Sequence, residues 1–451
     1  MLHPNRITPS LADVGRLLPA ALFALALGCQ VQPGFNPTGS DIHALTLADL
    51  AQLAPGWDGE IVATVDQSYA GWDVEIGDAD GDGRPEILTG SAPDSRVTLY
   101  RKRNGAWESH VLVDHAASDQ PGVVLGVKIT DLDGDGRPEV VAGTGQYDDD
   151  VARLLVLRTD GETATVLASL QAPDNTSSYT HGQAIADLDG DGIQEIVSAY
   201  CGNGEVIRYD LSSDLKTIDS HKVLQLSGSG EDSQLADVDG DGRLELLVSN
   251  GFRDGEARVE IHDLDPTTGD PIAEPRLVLD GFEGRTAFYA SLMVGDIDGD
   301  GRPELIVGWK AEQTVNRASL VAYRVGRETA EVAYVLSRED QDLDLGYFEK
   351  MMAIADIDGD GHPELLVSTR GDDSTEGIES SHLGHVFLYR VTANGQVRRE
   401  LIVDFNQDLA QSSWLAVGDA DGDGRPELVL ATGWGDTTQP GMSFILAVHK
   451  S

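Results

Sequence analysis

The segment Asp78-Ala79-Asp80-Gly81-Asp82-Gly83-Arg84-Pro85-Glu86 places four carboxylates within nine residues. Like charges this close repel one another unless a cation lies among them. Asp78, Asp80 and Asp82 alternate along the chain, which aims their oxygens at one point; Gly81 and Gly83 permit a tight turn, the carbonyl of Arg84 can join, and Glu86 closes the site from the following strand. Such a set of hard oxygens suits Ca²⁺. No thiol occurs in this segment or its copies, and imidazole occurs once, as His362, which disfavours zinc or copper.

The nine-residue pattern stands in the chain seven times. Position 1 is Asp78, Asp131, Asp187, Asp237, Asp296, Asp356 and Asp419; position 3 is Asp80, Asp133, Asp189, Asp239, Asp298, Asp358 and Asp421. Position 5 is Asp82, Asp135, Asp191, Asp241, Asp300, Asp360 and Asp423. The carbonyl at position 7 belongs to Arg84, Arg137, Ile193, Arg243, Arg302, His362 and Arg425, and the closing acid at position 9 is Glu86, Glu139, Glu195, Glu245, Glu304, Glu364 and Glu427. An EF-hand closes at position 12, where Thr89 and Ala142 stand in the first two copies, so this is a different loop. Up to seven calcium ions are expected.

The elements that hold the loops follow from their spacing. Successive copies start 53, 56, 50, 59, 60 and 63 residues apart, a period that belongs to propellers rather than to short solenoid coils. Within one period come an apolar segment, the acidic loop, a β-branched run such as PEILTGS, then strands such as RVTLYRKR and WESHVLVD. This predicts an all-β, seven-bladed β-propeller of four-stranded antiparallel blades. The last repeat has only PELVLATGW and MSFILAVHK after its loop, whereas GEIVATVDQ (59–67) precedes the first loop and resembles a fourth strand. The ring is therefore expected to close through this N-terminal strand, which removes an open sheet edge; an array with frayed ends is the alternative.

Composition agrees with this reading. The 51 glycines point to many turns, and the two cysteines, Cys29 and Cys201, supply no disulfide framework. A formal charge of −45 argues against a nucleic-acid or anionic lipid partner. The seven loops hold more than a third of the 77 acids, a concentration that solubility alone does not require.

Acidic loops of this spacing, flanked by strands, resemble the FG-GAP or VCBS repeat of integrin α-like propellers, and the resemblance spans residues 60–451. Many integrin members close with Asp at position 9, where every copy here has Glu; of the family's Gly-Ala-Pro signature, Gly90-Ser91-Ala92-Pro93 is the best remnant. The resemblance implies calcium in the loops and a protein or glycan ligand on the opposite face. Candidate residues there include Tyr179, His181, Trp309, Lys310, Trp414 and Trp434, which would either stack on and hydrogen-bond a ligand or plug the central channel. Catalysis is not expected. The alternatives are a carbohydrate-active enzyme such as a polysaccharide lyase, with Tyr179 and His181 as base and acid, or a purely structural envelope protein. Cys201 reads as a small buried residue, and Arg370-Gly371-Asp372 as a chance tripeptide in a long loop.

The N-terminus carries Arg6 and Arg16, an apolar run of twelve residues (17–28), and small residues before Cys29. This reads as a signal peptide over 1–28, too short to span a bilayer. Ala26-Leu27-Gly28-Cys29 resembles the lipobox of bacterial lipoproteins, with Ala26 and Leu27 in reverse of the usual order. The resemblance implies lipid attachment at Cys29, export, and anchoring in the cell envelope, with Gln30 pointing to the outer membrane. Membrane contact would be through that lipid alone. Residues 29–57 are expected to form a tether with a short packing helix after Ser40, bearing Leu45, Leu50 and Leu53 on one face, ahead of a propeller over 58–451.

Overall fold

The computed structural model describes residues 45–66, 69–92, 96–114, 123–145, 153–171, 179–201, 203–251, 257–312, 315–340, 343, 351–369, 384–392, 394–406, 412–433 and 443–451. After a single helical turn, α1 (Leu47–Leu50), come β1 (Ala51–Leu53) and β2 (Trp57–Val65). Blade 1 is β3 (Tyr69–Gly77), β4 (Glu86–Ala92), β5 (Arg96–Arg103) and β6 (Ala106–Asp114). Blade 2 is β7 (Val123–Thr130), β8 (Glu139–Gly145), β9 (Arg153–Thr159) and β10 (Ala164–Gln171). Blade 3 is β11 (Tyr179–Ala186), β12 (Glu195–Cys201), β13 (Glu205–Leu211) and β14 (Ile218–Gln225). Blade 4 is β15 (Ser229–Ala236), β16 (Glu245–Gly251), β17 (Arg258–Asp263) and β18 (Leu277–Leu279). Blade 5 is β19 (Tyr289–Gly295), β20 (Glu304–Glu312), β21 (Val315–Val325) and β22 (Ala330–Asp340). Blade 6 is β23 (Met352–Ala355), β24 (Glu364–Ser368), β25 (His385–Val391) and β26 (Val397–Phe405). Blade 7 is β27 (Ser412–Gly418), β28 (Glu427–Gly433), β29 (Ser443–Lys450) and, from the other end of the chain, β2.

Every pairing is antiparallel, and second strands such as β16 and β28 are buried along their whole length. Aliphatic residues dominate these strands because neighbouring blades cover both faces. Among the described residues each pair of adjoining blades shares its own apolar cluster. The seventh cluster joins Val429, Ile445 and Trp414 of blade 7 to Trp72, Val74 and Ile87 of blade 1, so the ring is closed. β2 runs antiparallel to β29 from Trp57 opposite Lys450 to Val65 opposite Ser443, as the sequence led one to expect.

The inner strands lie side by side without a continuous ladder, and side chains satisfy the backbone groups this leaves. The Asp73 carboxylate accepts the Val127 amide at 2.8 Å across blades 1 and 2. Gln234 donates to the Leu292 carbonyl at 3.0 Å and accepts the Val294 amide at 3.1 Å across blades 4 and 5. Ser233 donates to the Gly182 carbonyl at 2.7 Å across blades 3 and 4.

The leader differs from expectation. The helix is only Leu47–Leu50, capped by Thr46, whose hydroxyl and amide both donate to Asp49. Leu53 lies not on its face but in β1, which pairs with β26 as a fifth strand of blade 6. The physical reason is an otherwise open edge: β26 has unpaired backbone groups that three residues of extended chain satisfy better than a second helical turn would. Leu50, Ala51 and Trp57 enter the cluster between blades 6 and 7, so residues 45–57 pack against the propeller. Cys29, the apolar run, Ser40 and Arg370-Gly371-Asp372 lie outside the described residues. Among the described residues no helix is long and apolar enough to cross a membrane.

Candidate metal centres

Each acidic loop joins the first strand of a blade to the second, and the position-9 glutamate is the first residue of that second strand. This puts all seven loops at the same end of their blades. The turn depends on glycine at positions 4 and 6: Gly81 and Gly83 have φ of 77° and 84°, and their six counterpart pairs lie in the same left-handed region.

Within a loop the carboxylate oxygens divide their work. Asp78 accepts amides of Gly81 (2.7 Å), Asp82 (3.0 Å) and Gly83 (2.9 Å). Asp80 Oδ1 accepts the amide of Asp82 at 3.0 Å, and Asp82 Oδ1 that of Arg84 at 2.9 Å. Glu86 Oε2 accepts the Ala79 amide at 2.9 Å. The last bond recurs in all seven copies, from Leu132, Leu188, Val238, Ile297, Ile357 and Ala420 to Glu139, Glu195, Glu245, Glu304, Glu364 and Glu427. One oxygen of positions 3, 5 and 9 thus fixes the turn and the other is left for the site.

Carboxylates of the loop also converge. In loops 1, 3 and 4 one oxygen from each of positions 1, 3 and 9 comes within 4.8 Å of the others, and in loops 2 and 5 one from each of positions 1, 3 and 5 does. The donors are hard oxygens with no sulfur or nitrogen, a set that fits an oxygen-seeking divalent cation. Position-7 side chains such as Arg84, Arg137 and His362 point to solvent, which leaves their backbone as the part near the loop. The FG-GAP-like repeat model matches residues 78–142, 187–248 and 356–430, and the FG-GAP repeat model matches 288–315. The chain belongs to the FG-GAP repeat family. No curated protein matches it.

Burial of the FG-GAP loop glutamates has an electrostatic cost. Glu86, Glu195, Glu245, Glu304, Glu364 and Glu427 are pushed up to about 7 from 4.5, first by burial and then by the neighbouring aspartates, against the pull of the position-2 amide. Glu139 shifts the same way, opposed by Arg158. A carboxyl that holds its proton to about 7 when folded and only to 4.5 otherwise favours the fold at acidic pH and loses that contribution as pH rises through about 7. Metal-free protein is therefore expected to melt several degrees lower at about pH 8 than at about pH 5.5. Asp423, held below the usual carboxylate range by Arg425, acts only at more acidic pH. Thermal scans in EDTA at the two pH values check the slope; a melting point that rises with pH would mean the glutamates are ionised in the metal-free fold.

The residues expected on the opposite face are placed differently from one another. Trp309 is 3 % exposed, sits in the cluster between blades 4 and 5, and donates its indole N–H to Tyr323 at 3.0 Å. Trp414 is also buried and stacks on Trp72 with ring centroids 6.1 Å apart, joining blades 7 and 1. Lys310 is 2 % exposed. These three side chains are buried here rather than exposed as open platforms, because a first or second strand is covered on both faces by the neighbouring blades. Tyr179 and His181 lie on β11, but their side chains, that of Cys201, and all of Trp434 lie outside the description. On this same face a shallow depression at blade 5 is lined by Phe282, Trp309 and the ion pairs Arg338–Glu283 and Arg285–Glu339.

Sequence reasoning missed one group of residues altogether. A basic side chain reaches every FG-GAP loop: Arg101, Arg158, Arg208, Arg276, Arg324, Arg390 and Lys102. Five of them follow an apolar or tyrosine residue in third strands, as in LYR, VLR, VIR, AYR and LYR, and that repeated arginine was the available signal.

Proposed function

We propose that this FG-GAP propeller is a calcium-stabilised, extracytoplasmic binding module, anchored to the bacterial cell envelope through lipid on Cys29. The observation that carries the calcium part is the sevenfold repetition of one loop, in which a single oxygen of the acids at positions 3, 5 and 9 fixes the turn, and in loops 1 to 5 three of the acids bring one oxygen each within 4.8 Å of the others. Asp, Asp, Asp and Glu at positions 1, 3, 5 and 9, with the carbonyl at position 7, would hold the ion, which supplies positive charge to oxygens that otherwise repel. Support for a binding role comes from the FG-GAP fold. Support for export and anchoring comes from the N-terminal sequence alone. The ligand, a protein or a glycan, is assigned to the face opposite the calcium loops, the face that carries the depression at blade 5.

Elemental analysis of protein dialysed against about 1 mM calcium is expected to find close to seven calcium ions per chain, falling by about one when Glu304→Gln removes a closing carboxylate. Absence of bound calcium would end the metal reading. A glycan array and an envelope pull-down, each with and without chelator, test the binding reading, which fails if both return nothing.

A further inference from the structure

The position-3 aspartate is the most uniform point of the seven loops. Its Oδ1 accepts the amide of position 5, at 3.0 to 3.2 Å, in every copy. Its Oδ2, the oxygen left for a metal, faces a basic side chain in every copy. The pairs are Asp80–Arg101 (3.7 Å), Asp133–Arg158 (3.7 Å), Asp189–Arg208 (3.4 Å), Asp239–Arg276 (3.1 Å), Asp298–Arg324 (2.7 Å), Asp358–Arg390 (2.5 Å) and Asp421–Lys102 (3.0 Å).

These bases do not all come from one repeat position. Arg101, Arg158, Arg324 and Arg390 occupy the third-strand site beside the closing glutamate. In blade 3 that site holds Asp210, and Arg208 replaces the missing charge from two residues earlier. In blade 4 it holds Asp263, opposite Glu245, and Arg276 arrives from the segment before β18. In blade 7 it holds His449, and Lys102 crosses from blade 1, pairing also with Glu60 at 2.6 Å. A generic surface pairing would not restore the same contact, on the same oxygen, by three other routes. Arg324 shows its reach: it also meets Asp300 Oδ2 at 2.9 Å and Glu304 Oε1 at 3.2 Å, so one guanidinium engages three of the four loop acids.

Resting on the calcium reading above, we infer that each loop carries a resident basic side chain that holds its inward oxygens when metal is absent and competes with the divalent ion for them. The metal-free loop is then neutralised in part and stays folded, and calcium must displace the base from Oδ2. Loop 5 is the most strongly self-occupied, since Tyr334 also donates to Asp298 Oδ2 at 2.5 Å.

Arg324→Met is the test, because the Arg324 side chain is 46 % exposed and its loss leaves little cavity. Terbium luminescence, compared with and without Tyr334→Phe to isolate loop 5, and competed with calcium, reads the affinity of this loop. Removing a unit charge that lies against three of the loop's carboxylates is expected to tighten binding by about tenfold, and the variant should melt lower than wild type in EDTA. Arg324→Lys, which keeps the charge, should stay near wild-type affinity. If wild type binds calcium and Arg324→Met binds it equally or more weakly, the competition is overturned and the calcium reading stands. If wild type takes up neither terbium nor calcium, both fall.

Discussion

Thorough treatment with EDTA is expected to lower the melting temperature of the propeller by about 10 °C relative to protein in about 1 mM calcium. The magnitude follows from the loops. Extracellular calcium modules have dissociation constants of about 10⁻⁴ to 10⁻³ M. At the tight end, about 1 mM calcium contributes about 1.4 kcal/mol per site, hence about 10 kcal/mol for seven independent sites. An unfolding entropy of about 2.1 cal/mol/K per residue over about 400 residues converts this to about 12 °C. The bases on the position-3 aspartates set a limit in the other direction: with a guanidinium or ammonium on each loop, the stripped protein is expected to remain folded rather than to collapse. Scanning calorimetry with and without chelator reads both features. An unchanged melting point, with no metal found beforehand, would remove calcium from the account of stability.

What the sequence made legible was what local chemistry repeats. Asp-x-Asp-Gly-Asp-Gly-x-x-Glu specifies its own turn, because the glycines and the acid-to-amide bonds lie within nine residues. The blade count and the closing strand were readable for a related reason: β2 and β29 carry the patterns of a fourth and a third strand, and a ring needs both.

Contacts between segments far apart in the chain were not legible. β1 is extended because of an edge on β26 some 350 residues later, and nothing in Ala51-Gln52-Leu53 announces it. Whether Trp309 and Trp414 stack on a ligand or fill the interior stayed open in the sequence, because strands covered on both faces give no alternation that would tell inward from outward. Arg208, Arg276 and Lys102 reach their loops from non-equivalent positions, so alignment of the repeats hides them even though the pattern of charge around Oδ2 is complete.

Deleting residues 57–65 is expected to abolish the cooperative melting transition, an effect larger than metal removal. β2 is the fourth strand of blade 7 and the final link of the ring. Its removal uncovers β29, whose Phe444, Ile445, Leu446 and Val448 are at most 2 % exposed. Each such side chain loses about 1.5 to 3 kcal/mol on exposure, and the ladder along β29 becomes a free edge open to association with other chains. The same residues serve the clusters on both sides of blade 7, so the damage passes to blades 1 and 6. A milder lesion is available at Gly59, where a β-carbon would stand 2.5 Å from the Ala447 carbonyl oxygen, forcing β2 away from β29. Gly59→Val should therefore lower the melting temperature without abolishing the transition, and a synthetic peptide of residues 45–66 added to the deletion protein should restore part of its solubility and its melt. A deletion protein that melts cooperatively at the wild-type temperature, as a monomer by light scattering, would show that seven blades hold their ring without this clasp.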